Sequence, residues 1–166
     1  MALTLPEFNR LVSEYAPSLF RLAYRAVGDR QEAEDIVQEG FRSAWKSRKS
    51  FRPGLGERAW LVSILRRRIV DYWRRPRPLS LAANDQTIDA IQPPDDPLRD
   101  DYTDEMQHAL TRLPPDLRET LLLVVVAELT HQEAADLLEV PLGTVLSRVS
   151  RARKRLREYL LATGAK

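Results

Sequence analysis

The chain has 166 residues, room for one compact domain or two small ones, and 43% of them are hydrophobic, enough for a core. Its 26 Lys and Arg against 24 Asp and Glu leave a formal charge of +2, so affinity for nucleic acid must come from segregated charge rather than net charge. Cysteine is absent, which excludes disulfides, thiol catalysis and cysteine-based zinc sites, and the longest apolar run, Leu121 to Ala127, is too short to span a bilayer. No basic segment followed by an apolar stretch opens the chain, so a cytoplasmic protein without membrane insertion is expected.

In chain order, Leu5 to Tyr15 and Ser18 to Val27 are two amphipathic stretches, the second stopped by Gly28. Asp29 caps a third helix, with Glu32 three residues on and early acids suited to the positive end of the helix dipole. That helix runs to about Lys46 with Ile36, Val37, Phe41, Ala44 and Trp45 as its apolar positions. A basic loop containing Pro53, Gly54 and Gly56 leads into a helix from Glu57 to Arg75. Its Trp60, Leu61, Ile64, Leu65, Ile69, Tyr72 and Trp73 can bury a face, while Arg66, Arg67, Arg68, Arg74 and Arg75 form a positive surface.

From Pro76 to Asp104 no period is sustained, and five of the eleven prolines fall there with seven Asp against two Arg. This reads as a flexible acidic linker, which by composition suits a solvated tether. Beyond it, Met106, Leu110 and Leu113 mark a helix that stops at Pro114 and Pro115. Asp116 is expected to cap the next, whose stretch Leu117 to Leu129 is apolar enough to be the centre of a bundle. By propensity alone Leu122 to Val126 could also be a strand.

Thr130-His131-Gln132-Glu133 is a capping box that opens a short helix. Glu139-Val140-Pro141 makes a turn, with Pro141 expected at the first position of the next helix. There Leu142, Val145, Val149, Ala152 and Leu156 recur every three or four residues and should face a core. Six basic residues between Arg148 and Arg157 lie on the remaining surface, with no acid before Glu158. A short helix, a turn and a basic second helix make a helix-turn-helix. Only His108 and His131 are present, neither among carboxylates at ligand spacing, so no cofactor, metal or catalytic residue is implied.

Leu19-Phe20-Arg21-Leu22-Ala23-Tyr24, Ala33-Glu34-Asp35-Ile36-Val37-Gln38-Glu39-Gly40-Phe41, Ala59-Trp60-Leu61 and Asp71-Tyr72-Trp73-Arg74-Arg75 resemble region 2 of the extracytoplasmic-function sigma factors of bacterial RNA polymerase. Leu113-Pro114, Arg118, Glu133-Ala134-Ala135, Leu138, Gly143-Thr144-Val145, Ser147-Arg148 and Arg151-Ala152-Arg153 resemble region 4. The resemblance implies an all-α fold of two small helical domains, a region 2 bundle in 1–75 and a region 4 helix-turn-helix in 105–166, joined by the linker 76–104.

It further implies that Asp35, Gln38, Glu39, Phe41 and Trp45 dock on the clamp coiled coil of core polymerase, with the flap as a second contact region; the two aromatics suit a core equally well. Arg48, Lys49, Phe51, Arg52, Arg67, Arg74 and Arg75 would open the −10 element and hold its displaced strand. The family's usual amide is replaced by Arg67, which departs from the pattern of −10 reading. Leu146, Ser147, Ser150 and Arg151 would read −35 bases, Leu146 against a thymine methyl, while Thr144, Arg148, Arg153 and Arg155 contact or support phosphates. Partners are core polymerase, promoter DNA and an anti-sigma factor. The alternative from another class is a stand-alone helix-turn-helix regulator that binds duplex DNA tightly by itself.

Overall fold

The computed structural model describes residues 2–51, 56–76 and 104–162. They form seven α-helices: α1 (Leu5–Val27), α2 (Arg30–Lys46), α3 (Glu57–Arg74), α4 (Asp104–Arg112), α5 (Pro115–Val125), α6 (His131–Leu138) and α7 (Leu142–Ala162). Among the described residues there is no strand, and Leu122 to Val125 lies in α5. Most of the linker and Arg52 fall outside the described residues.

Leu5 to Tyr15 and Ser18 to Val27 form one helix rather than two. Pro17 removes the donor for the Ser13 carbonyl, yet it sits on the exposed side, and the apolar stripe Phe8, Leu11, Leu19, Leu22 and Ala26 stays in helical register across it. A capping box between Thr4 and Glu7 opens α1, and Gly28 closes it in the left-handed conformation at φ 73°, its N–H reaching the Tyr24 carbonyl at 2.7 Å. Asp29 caps α2 through the Glu32 amide at 2.9 Å. With only two residues between them, α1 and α2 must fold back on each other. Helix α3 completes the bundle, and it approaches α2 where Gly40 offers no side chain: a Cβ there would stand 3.0 Å from Leu65 Cδ1.

In the second module α7 packs on α4, α5 and α6. Helix α5 starts behind Pro114, so Asp116 lies in its first turn and bonds the next amide, Leu117 N, rather than capping the helix. The helix stops at Val125, and Glu128 at φ 59° turns the chain into Leu129 and the observed capping box Thr130 to Glu133. Glu139, also left-handed at φ 57°, ends α6; Val140 N then reaches back to the Ala135 carbonyl at 3.1 Å. Pro141 is the residue before α7, its carbonyl accepting from Thr144 N at 3.0 Å, one position earlier than expected.

The two modules pack against each other, α1 on α4 and α5, α3 on α6. Arg25, only 4% exposed, donates to Gln107 Oε1 at 3.0 Å, and Gln107 Nε2 returns a bond to the Arg25 carbonyl at 3.1 Å. Arg66 pairs with Glu119, and the Arg118 guanidinium lies 4.3 Å from the centre of the Trp73 ring. Beneath them Leu22, Ala26, Ile69, Trp73, Leu122 and Leu123 line an apolar crevice. Leu65 and Leu110, buried in different modules, therefore belong to one continuous core.

Candidate nucleic-acid interface

Helix α7 is held by Val145, Val149, Ala152 and Leu156, all buried, which turns the rest of its circumference outward. Leu142, expected with them, is instead 41% exposed, because the helix begins at this residue and its first turn projects beyond the neighbouring helices. Leu146, Ser147, Ser150, Arg151, Arg153 and Arg155 are exposed; Thr144 and Arg148 are half-buried. Among the described residues, none of the cations Arg148, Arg151, Arg153, Lys154, Arg155 and Arg157 forms an ion pair. Unpaired cations around a helix that also exposes its first turn can neutralise phosphates while small side chains approach base edges.

Helix α3 uses its arginines differently. Arg58 donates to the Ala127 carbonyl at 3.5 Å and to Ser18 Oγ at 3.4 Å, approaches Glu128 at 3.7 Å and lies over the Tyr15 ring. Arg66 is engaged by Glu119, and Arg68 bonds Ser43 Oγ at 2.6 Å. Arg67 and Arg74 stay exposed, as does Arg75, whose guanidinium approaches the Tyr72 ring. Of the five arginines expected to form a positive surface, only Arg66 is paired with a carboxylate; Arg68 stays exposed beside its hydroxyl partner.

In the loop before α3, Lys49 is exposed, while Arg48 is fastened to the end of α2, 4.0 Å over the Trp45 ring and 2.8 Å from its carbonyl oxygen. Phe51, expected as an aromatic offered to an unstacked base, is buried at 5% exposure with its ring centre 5.0 Å from that of Trp60. The helical turn Arg48–Ser50 directs it inward, into the gap beside α3. Arg52 lies outside the described residues.

On α2, Gln38, Phe41 and Trp45 share a face by their spacing. Gln38 is exposed, whereas Phe41 and Trp45 are half-buried on Phe8, with ring centres 6.3 and 5.1 Å from it. Asp35 is exposed beside Gln31, and Glu39 pairs with Arg42. Polar groups next to partly covered aromatics are the composition of a protein interface with apolar anchors. Sequence reasoning missed Arg25, Gln107, Arg58, Trp73, Arg118 and Glu119 as intermodule residues. Each pair is far apart in the chain and leaves no periodic trace.

Residues 11–78 match the family model of Sigma-70 region 2, and residues 103–156 that of Sigma-70, region 4. The ECF RNA polymerase sigma factor EcfG of Rhodopseudomonas palustris is 35% identical over 150 residues, covering 90% of this chain and 82% of the relative. The chain belongs to the extracytoplasmic-function sigma factors. SigE of Mycolicibacterium smegmatis is also 35% identical, over 162 residues and 94% of the chain, but the chain spans only 62% of that relative's length.

Two solved structures share the arrangement over nearly the whole chain. RpoE of Bartonella quintana, solved with the anti-sigma factor NepR, has a TM-score of 0.73 and 29% identity over 94% of this chain and 98% of its own. CnrH, solved with the cytosolic domain of CnrY, has a TM-score of 0.72 and 25% identity over 96% and 90%. Among the described residues of this sigma factor no helix is long and apolar enough to cross a membrane, and no group of His, Asp and Glu is arranged to hold a metal.

Proposed function

We propose that this sigma factor docks on core RNA polymerase through the Gln38, Phe41 and Trp45 face of α2 with Asp35 and Glu39 at its edges. It reads the −35 element with the exposed face of α7 and opens the −10 element with Lys49, Arg67, Arg74 and Arg75. The observation that carries the reading is the row of unpaired cations along α7, in a chain whose other arginine-rich helix has partners for many of its own. The protein acts in the cytoplasm and performs no catalysis itself; the polymerase supplies the chemistry.

The contact between modules adds a constraint. The −35 and −10 elements are separate sites on a duplex that advances about 34 Å per turn, so contacting both favours modules that stand apart. The roughly 29 residues between α3 and α4 reach at most about 100 Å fully extended, which allows it. Promoter binding therefore favours separated modules, and a protein that holds them together would inhibit. The complexes of RpoE with NepR and of CnrH with CnrY support an anti-sigma partner of that kind.

The test is run-off transcription with purified core polymerase over a promoter library, read by sequencing. Promoter-selective initiation that depends on the added chain is expected. Tight duplex binding by the chain alone, with no selective initiation in the presence of core polymerase, would favour the stand-alone regulator.

A further inference from the structure

The exposed face of α7 is not uniformly cationic. Leu142 and Leu146 lie one turn apart and are 41% and 49% exposed. Five large hydrophobic side chains are this exposed among the described residues, and these two adjoin on one helix face. Gly143 lies beside Leu142 at the start of the same helix. A Cβ added to it would meet nothing within 4 Å, and its backbone needs no left-handed conformation, so neither packing nor geometry inside the chain calls for glycine.

Exposed leucines gain nothing from water. Ser147 and Ser150 extend the uncharged patch, and Arg151, Arg153 and Arg157 follow it along the exposed length of the helix toward its C-terminus. An uncharged, close-fitting helix start that leads into a run of exposed cations complements a duplex groove, with base edges on its floor and phosphates on its walls.

On the floor of the major groove the only apolar group is the thymine C5 methyl; the other bases present hydrogen-bonding edges or the bare C5 of cytosine. We propose that Leu142 and Leu146 together read thymine methyl groups in the upstream promoter element, and that Gly143 admits the groove edge to van der Waals distance of the helix backbone. Leu146 then selects thymine over cytosine at one position and Leu142 does so at a neighbouring one. This rests on the sigma-factor reading and names the base chemistry that it selects.

The experiment uses polymerase holoenzyme assembled with the full chain, on promoters in which each upstream thymine is replaced in turn by deoxyuridine, removing a methyl group and nothing else. Open-complex formation should fall about fourfold at one or two positions, the ~0.8 kcal/mol of one buried methyl group. Leu146→Ala should abolish the penalty at one of them and Leu142→Ala at the other, with 5-methylcytosine partly restoring binding where cytosine replaces thymine. Both leucines are exposed, so the helical content of each variant should match the parent.

Uridine penalties that persist unchanged in both variants would overturn the proposal. So would a loss of core-polymerase affinity in Leu146→Ala with the methyl penalties intact, which would make the patch a protein contact. Absence of initiation from every template would overturn the sigma-factor reading itself, a different result from initiation that is indifferent to methyl groups.

Discussion

Helices α3 and α7 are both long, both rich in arginine and both amphipathic, yet α3 ties several of its cations to the rest of the chain and α7 puts none of its own into an ion pair among the described residues. Arg58, Arg66 and Arg68 of α3 are held by a carbonyl, a carboxylate and a hydroxyl, two of these three contacts reaching the other module. Arginine content alone therefore does not mark a nucleic-acid surface. A guanidinium already desolvated against its own chain contributes to tertiary structure, and only one left in water has counterions to release on meeting phosphate.

The largest effect that separates the two helices should come from Arg66→Glu. It sets two carboxylates together where the Glu119 side chain is only 15% exposed, at a cost of about 2 to 3 kcal/mol to the intermodule packing. Small-angle scattering should show a larger particle with unchanged helical content, and the double variant Arg66→Glu with Glu119→Arg should recover most of the compaction. If the single variant stays compact, Arg66 belongs with the free cations and the contrast between the helices collapses.

Arg151→Ala should cost about 1 to 3 kcal/mol in promoter affinity, concentrated at one base pair, while the melting temperature stays near that of the parent. Equal loss on every promoter would remove Arg151 from the base-reading set. Arg153→Ala and Arg155→Ala should act more weakly and evenly. Each is expected to make the logarithmic salt dependence of holoenzyme binding shallower by about one.

The contrast between α3 and α7 also marks what could be read in the sequence. Helix starts and stops were legible because their signals are local: Asp29 capping Glu32, Gly28 ending α1, and the Thr130 to Glu133 box that sets the first helix of the helix-turn-helix. The buried stripe Val145, Val149, Ala152 and Leu156 was legible for the same reason, as a period. Leu142 fits that period and is nevertheless exposed, because periodicity assigns a face without knowing where the neighbouring helices end. The division into Leu5 to Tyr15 and Ser18 to Val27 failed in the other direction, because the apolar stripe of α1 continues through Pro17. Phe51 and the pairs Arg66 with Glu119 and Arg118 with Trp73 depend on chain-distant neighbours, which no spacing rule encodes.

The smallest effects belong to the two capping boxes, one in each module, which compare the modules without involving arginine. Thr130→Ala should cost about 1 kcal/mol and speed amide exchange in α6, loosening the support on which α7 is presented. Thr4 and Glu7 make the same reciprocal bonds at the start of α1, in full contact with water. The Thr4 backbone amide at 2.8 Å, followed by its hydroxyl at 2.9 Å, stabilises the Glu7 carboxylate and lowers its pKa from the ordinary 4.5. A carboxylate depressed in the folded state contributes its stability above the unfolded value and loses it as pH falls through the folded one. Exchange of the Glu7 and Phe8 amides, corrected for its intrinsic pH dependence, should therefore show loss of protection only below about pH 4.5. In Thr4→Ala the Glu7 titration, followed by NMR, should move back toward 4.5 without reaching it, since the backbone donor remains. A Glu7 midpoint at or above 4.5 in the parent chain would mean that this box does not form in solution and that α1 begins later than Leu5.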